Sequence, residues 1–304
     1  MFTIDLGGSG LKVPTIAVGC MRIGNMTDKQ VDEFVDTALE NGANFFDHAD
    51  IYAGGNSERL FGKSISRYDR EKVIIQTKCG IVPGKMFDFS YKHIIKSVEG
   101  SLKRLGTDYI DILLLHRPDA LVEPEEVAKA FCELKSTGKV RHFGVSNQSP
   151  YQIQLLQRYI DMPICANQLQ FGIMHAPMIQ SGINVNMYND SSVNRDGGVL
   201  DFCKLNNITI QPWSPMQYGF FEGCFVDNEL FPELNAVLEK LANKYTVSKT
   251  TIAIAWILRH PAKMQPVTGT TNILRLKDSF KAAEITLTRE EWYEIYKAAG
   301  NILP

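Results

Sequence analysis

The chain has 304 residues, of which 44% are hydrophobic and 22% charged, with a formal net charge of −2 and no low-complexity tract. The balanced charge gives no electrostatic case for binding nucleic acid or an anionic membrane, and no apolar run reaches membrane-spanning length. The start Met1-Phe2-Thr3-Ile4-Asp5 lacks a basic-then-apolar signal, and Cys20, Cys79, Cys132, Cys165, Cys203 and Cys224 form no C-x-x-C pair; reduced thiols in a cytoplasmic protein are expected.

In chain order, two extended segments, Phe2–Asp5 and Leu11–Val13, flank Gly7-Gly8-Ser9-Gly10 and predict a hairpin. Alternation of strand and helix follows. Strands are expected at Ile16–Gly19, Asn44–Asp47, Val73–Lys78, Ile110–His116, His142–Ser146, Ala166–Leu169, Thr209–Trp213 and Gln265–Thr268. They are short and mostly apolar, as strands covered by helices should be.

Helical periodicity lies between them, at Asp28–Asn41, Ser57–Ser66, Ser90–Leu105, Pro124–Thr137, Pro150–Tyr159, Gly198–Asn206, Val247–Arg259 and Ile273–Ala283. Thr27 is placed to cap the first helix, and Gly42, Gly106, Gly138 and Pro261 to end others. Leu230–Lys244 and Thr288–Ala299 read as extra helices. Eight strand–helix units without a break in composition predict an α/β chain forming one (β/α)8 TIM barrel domain over residues 1–304. Two long connections, Gly80–Phe89 and Phe171–Gly197, are expected to build the substrate pocket, with Arg22, Phe87 and Tyr91 as further candidates for its wall.

Three of the apolar runs end on groups that an α/β core does not ordinarily keep: Asp47, Lys78 and His116, with Tyr52 five residues past the first. Singly, each has a plain explanation. A strand-end Asp caps a turn, a buried His satisfies a carbonyl, and a Lys snorkels. In a barrel, however, the carboxy-terminal strand ends share one mouth, where an acid, an amine, a phenol and an imidazole are suited to moving a proton onto or off an oxygen.

Those residues carry a resemblance to the aldo-keto reductase superfamily that spans nearly the whole chain. The segment Phe46-Asp47-His48-Ala49-Asp50-Ile51-Tyr52, followed by Asn56-Ser57-Glu58, resembles the family's first motif. Ile75-Gln76-Thr77-Lys78 resembles its lysine strand, and Asp108-Tyr109-Ile110-Asp111 leading to Leu115-His116 its path into the histidine. His48 stands where the family usually has Thr, which resembles a bacterial subgroup with a D-H-A-D-x-Y core. The resemblance implies that Tyr52 protonates a substrate carbonyl, that Lys78 lowers its pKa, that Asp47 holds Lys78, and that His116 orients the oxygen.

It also implies a nicotinamide cofactor, although no G-x-G-x-x-G joins a strand to a helix. Gly7-Gly8-Ser9-Gly10 runs into extended Leu11-Lys12-Val13-Pro14 and is not a phosphate loop. Ser146, Asn147 and Gln168 would grip the carboxamide, Trp213 would stack on the ring, and the backbone from Ser214 to Gly219 would follow the pyrophosphate. Gly19, Cys20 and Met21, at the end of the first strand and just past it, complete the set. Gly269, Thr270 and Thr271 open a helix whose N-terminus suits an anion, Arg275 reaches a 2′-phosphate, and Asp278 accepts from adenine. Val267-Thr268 replaces the family's usual Lys-Ser pair, weakening the phosphate grip. Arg275 nonetheless favours NADP over NAD.

The function implied is NADP-dependent reduction of an aldehyde or ketone, by a protein that is a monomer by default. The alternative is a nicotinamide-binding regulatory subunit with slow turnover. A metal-dependent hydrolase is disfavoured: His142 begins its strand, about 13 Å from Ser146 at ~3.3 Å per residue, and no H-x-H or H-E-x-x-H spacing occurs. No metal is expected.

Overall fold

The computed structural model describes residues 2–304; Met1, in the N-terminal segment, lies outside them. Strands β1 (Thr3–Asp5) and β2 (Lys12–Pro14) form the expected antiparallel hairpin. The barrel strands are β3 (Ala17–Gly19), β4 (Phe45–Asp47), β5 (Ile74–Cys79), then, past the small hairpin β6 (Ile81–Val82) and β7 (Met86–Phe87), β8 (Ile110–Leu115), β9 (Val140–Ser146), β10 (Ile164–Gln170) and β11 (Thr209–Trp213). A second small hairpin, β12 (Gln217–Tyr218) and β13 (Gly223–Cys224), precedes the last barrel strand, β14 (Val267–Thr268). The eight-stranded parallel sheet runs β11-β10-β9-β8-β5-β4-β3-β14. Its two ends meet where Gln265 donates its backbone N–H to Ile210 O at 3.0 Å. The (β/α)8 barrel is thereby confirmed.

The predicted helices form within a few residues of their expected bounds, from Asp28–Glu40 to Arg289–Ala298. Local chemistry explains their ends. Thr27 accepts from the Gln30 N–H while the Gln30 side chain accepts from Thr27 N–H, a reciprocal cap. Gly106, at φ 64°, ends the Tyr91–Leu105 helix in the left-handed conformation. One helix was not expected: Pro177–Ile183 forms inside the Phe171–Gly197 connection. Its Met-Ile-Gln-Ser-Gly-Ile sequence is too short to show a helical repeat. Among the described residues no helix is long and apolar enough to cross a membrane.

Strand parity builds the site. A large core of buried side chains joins helices to the outer face of the sheet, while Leu6, Val13, Ala17, Phe45, Ile74, Ile112, Leu114 and Ala166 share a second core inside the barrel. Side chains alternate faces along a strand. Asp47 is two residues past inward-facing Phe45, Lys78 four past Ile74, His116 four past Ile112, and Gln168 two past Ala166. The polar groups thus continue the inward rows and emerge at the carboxy-terminal end. The hairpin closes the opposite end with Leu6, which is fully buried.

Candidate active site

The floor of the site is a layer of buried amides. Gln76 donates to Asp47 Oδ1 (2.6 Å) and to Gln211 Oε1 (2.9 Å), while Gln211 donates back to Gln76 Oε1 (3.0 Å) and to Gln265 Oε1 (2.8 Å). Gln168 Nε2 also donates to Asp47 Oδ1 (3.0 Å). Sequence reasoning passed over Gln76, Gln211 and Gln265, although Gln76 lies two residues before Lys78 and so shares its inward face.

Above this layer, Lys78 Nζ donates to Asp47 Oδ2 (2.7 Å), His48 O (2.7 Å) and Tyr52 Oη (3.1 Å). The ammonium is fully buried, so all three of its protons are spent within the protein. Burial lowers its pKa, but Asp47 and Tyr52 outweigh burial and the net shift is upward. Burial raises the Tyr52 phenol, Lys78 pulls it down, and the balance is raised above the ordinary value. Lys78 therefore acts on the phenol in the expected direction, toward the phenolate, but burial outweighs it. The Tyr52 and His116 rings meet edge-to-face with centroids 5.9 Å apart. Burial, then Lys78 and Arg117, hold His116 well below the usual imidazole pKa, so it is neutral at pH 7 and has one N–H to donate.

The Asn56-Ser57-Glu58 segment fixes the loop bearing Tyr52. Asn56 Nδ2 donates to Gly24 O (2.7 Å). Glu58 is fully buried, accepting from Thr77 Oγ1 (2.7 Å) and Arg104 Nε (2.7 Å). Asp111 likewise serves the scaffold, accepting from Arg70 Nη2 (2.7 Å) and Ile75 N–H (2.9 Å).

These groups open into a cavity of about 750 Å³ at the mouth, within the size range of small-molecule sites. Asp47, Tyr52, His116, Ser146, Asn147, Gln168, Trp213 and Ser214 line it, together with Gly19, Met21, Gly269, Thr270, Thr271 and Arg275. Ser146 Oγ donates to Gln168 O (3.0 Å) and accepts from Asn147 Nδ2 (2.7 Å), and Trp213 Nε1 donates to Asn147 Oδ1 (3.2 Å). One connected chain therefore holds the carboxamide candidates and the indole. Arg275 follows the Asn272 cap of the Ile273–Lys281 helix and is exposed without an acceptor.

Two predicted cofactor residues are not brought to the wall. Cys20 is buried with its thiol toward Val18 O (3.6 Å), and the Asp278 carboxylate pairs with Lys281 at 3.0 Å. Gly19 does line the cavity, but a Cβ there would sit 2.9 Å from Thr268 O; the glycine lets β3 pack against β14.

The expected pocket wall also needs correction. The Phe171–Gly197 connection contributes no lining residue, and Gly80–Phe89 contributes only Ile81. Tyr91 donates its hydroxyl to Glu133 and Phe87 is exposed, neither lining the cavity, whereas Arg22 does line it as expected, its Nη1 donating to Gly269 O (2.8 Å). The wall comes instead from Pro215, Met216, Gln217, Phe221, Gly223 and Cys224 around the β12–β13 hairpin. Pairings of two residues each leave little trace in sequence. Phe221 stacks on Trp213 with centroids 5.9 Å apart.

Among the described residues no cluster of His, Cys, Asp and Glu is arranged to hold a metal ion.

Eight parallel strands with an acid, an amine, a phenol and an imidazole gathered at their carboxy-terminal mouth define a barrel of the class that carries its chemistry there. The chain belongs to the aldo/keto reductase family: the sequence model of the Aldo/keto reductase family matches residues 15–299. It is similar to a 6-dehydroglucose reductase of Agrobacterium fabrum, 34% identical over 304 residues and covering 95% of each chain. It is also similar to the oxidoreductase YdhF of Escherichia coli, 35% identical and covering 97% of each. A crystal structure of the thermostable aldo-keto reductase Tm1743 with the inhibitor epalrestat superposes with a TM-score of 0.79 at 27% identity, covering 98% of this chain and 100% of that one.

Proposed function

We propose that the protein is an NADP-dependent carbonyl reductase, converting an aldehyde or ketone to an alcohol with Tyr52 as general acid. The observation that carries this reading is the bridge made by Lys78 Nζ, 2.7 Å from Asp47 Oδ2 and 3.1 Å from Tyr52 Oη, at the wall of a cavity large enough for cofactor and substrate. The donor set fits a nicotinamide dinucleotide: Asn147 and Gln168 for the carboxamide, Trp213 for the ring, and the Thr270–Thr271 hydroxyls with the acceptor-free Arg275 for phosphate. When bound, the reduced cofactor supplies the hydride to the carbonyl carbon.

The chain's own residues supply the rest. Tyr52 delivers its phenolic proton to the carbonyl oxygen, giving the alcohol and leaving a phenolate. Lys78, kept charged by Asp47, stabilises that phenolate as it forms. The raised phenol pKa keeps Tyr52 protonated at neutral pH, as an acid must be before transfer. Neutral His116 donates to the same oxygen and fixes its orientation. Gln76 and Gln168 hold Asp47 on its second oxygen, so the pair with Lys78 does not rotate away.

The test is NADPH consumption with an aldehyde panel, comparing the parent with Tyr52→Phe and NADPH with NADH. Tyr52→Phe should lower kcat by about 10²–10⁴-fold, the usual contribution of a positioned acid, while NADPH affinity stays within a few-fold. NADPH should be preferred to NADH. Tight NADPH binding without turnover of any carbonyl would instead favour a regulatory nicotinamide-binding subunit.

A further inference from the structure

Among the described arginines, Arg117 alone is shielded from solvent and lacks an acceptor. Arg22, Arg67, Arg70, Arg104, Arg141, Arg195 and Arg259 each meet a carboxylate or a carbonyl oxygen. Arg59, Arg158, Arg275 and Arg289 have no acceptor but are exposed. Arg117 is half-buried on the cavity wall, and its one recorded partner is the Trp213 ring, 5.5 Å from its guanidinium carbon. Its N–H donors thus face the cavity with no protein oxygen to receive them, free to take an acceptor from a ligand that displaces solvent.

Position says which ligand. Arg117 follows His116 at the end of β8, the fourth strand of the ring counted from β3, whereas Gly269–Arg275 follow β14, the eighth. Arg117 therefore lies across the mouth from the loop assigned to cofactor phosphate, beside Tyr52 and His116. The cavity lining also includes the apolar Ile51 and Ile81, and the Trp213 ring lies against the guanidinium. Asp47 is the only acid lining the cavity, and it is spent on Lys78 and two glutamines. A second anion entering this end meets no repulsion from a free carboxylate and one unneutralised planar cation.

We propose that Arg117 is the substrate-recognition residue of this site and selects carbonyl compounds that carry an oxyanion, a carboxylate or another group of the same fork-matching geometry, held bidentately by the guanidinium. This rests on the carbonyl-reductase reading above and names its substrate class. Trp213 supports the guanidinium from one side by cation–π contact, leaving the N–H edge to the ligand.

Two matched probe pairs test it: 4-carboxybenzaldehyde against methyl 4-formylbenzoate, and succinic semialdehyde against its methyl ester. Each is assayed with NADPH on the parent, Arg117→Met and Arg117→Lys. In at least one pair the parent should favour the acid over the ester by tenfold or more in kcat/KM. Arg117→Met should reduce that acid-to-ester ratio about 10–100-fold, chiefly through KM, as expected for loss of a charge-assisted pair; Arg117→Lys should restore part of it.

A parent that favours neither acid, or a ratio unmoved by Arg117→Met, overturns the proposal, as does an equal loss on acid and ester, which would make Arg117 a support for Trp213. Calorimetric titration with terephthalate and with succinate, in the presence of NADP⁺, separates this from the function itself. If no probe is turned over, the reductase reading fails. Binding of either dianion weakened tenfold by Arg117→Met then still upholds the anion site, and equal or absent binding overturns it.

Discussion

His48 is the least satisfied side chain around the site. Its ring is fully buried 4.4 Å from Phe61, and neither ring nitrogen has a partner. Burial, reinforced by the Lys78 charge, pushes its pKa from 6.5 down to about 3. The unfolded chain therefore binds a proton near pH 6.5 that the folded chain refuses until about pH 3, so stability present above pH 6.5 is lost as pH falls. Asp50 acts in the opposite sense. Burial, with Glu58 nearby, raises it from 3.8 to about 6, so its contribution is present below 3.8 and lost as pH rises through about 6. Replacing His48 with Leu should leave the neutral-pH melting temperature within a few degrees and lift stability relative to the parent by about 2 kcal/mol between pH 6.5 and 5. Thermal melts across that range check it; parallel curves for parent and variant would contradict the buried neutral imidazole. Asp47, Lys78 and His116 were legible because each breaks an apolar run at its end, and Tyr52 because it lies five residues past the first of them. The isolation of His48 and Arg117 was not, because a sequence shows a polar residue but not whether folding gives it a partner.

The amino-terminal hairpin is an element whose geometry leaves little room. Its turn places Gly7 at φ 54°, where an added Cβ would stand 2.1 Å from Cys165 O on β10. The Gly7 N–H donates to Thr209 Oγ1 on β11 at 2.8 Å. Gly7→Ala combines a left-handed penalty with a collision against rigid backbone, and should cost about 2–4 kcal/mol. A urea midpoint shifted down at unchanged slope is the expected signature; Gly10→Ala, with open space around the position, should cost only the conformational penalty. The glycine cluster was thus readable as a turn, while its role as a plug became visible only with the barrel closed around Leu6. Strands were readable because apolar runs bounded by Gly and polar residues survive in short segments. The β12–β13 hairpin was not: its strands pair over two residues each, and their placement over Trp213 depends on how the β11 end turns at Ser214, φ 50°.

At the scale of the molecule, the amides of Gln76 and Gln211 join β5 to β11, strands three and seven of the ring, straight across the barrel axis. This tie compensates for an uneven circumference. Seven neighbouring pairs of barrel strands share parallel ladders, but β11 and β14 share none; the backbone contact between these ends of the sheet is the Gln265 N–H to Ile210 O bond. A staved ring with one lightly fastened joint breathes there first. The two loops flanking that joint, Ser214–Gly219 and Gly269–Arg275, are the ones proposed to hold the dinucleotide along its length. A nucleotide bound there would act as a staple, with part of its binding energy keeping the cylinder shut. Hydrogen exchange should show the amides of residues 208–219 and 265–271 opening faster than those of β8 and β9, and slowing on addition of NADPH more than any other segment. Uniform protection around the ring would show that the joint is as strong as the rest. If the joint does govern opening, cofactor occupancy would set how long the whole cylinder survives heat or protease, and the holding of a coenzyme would be a fold-preserving event as well as a catalytic one.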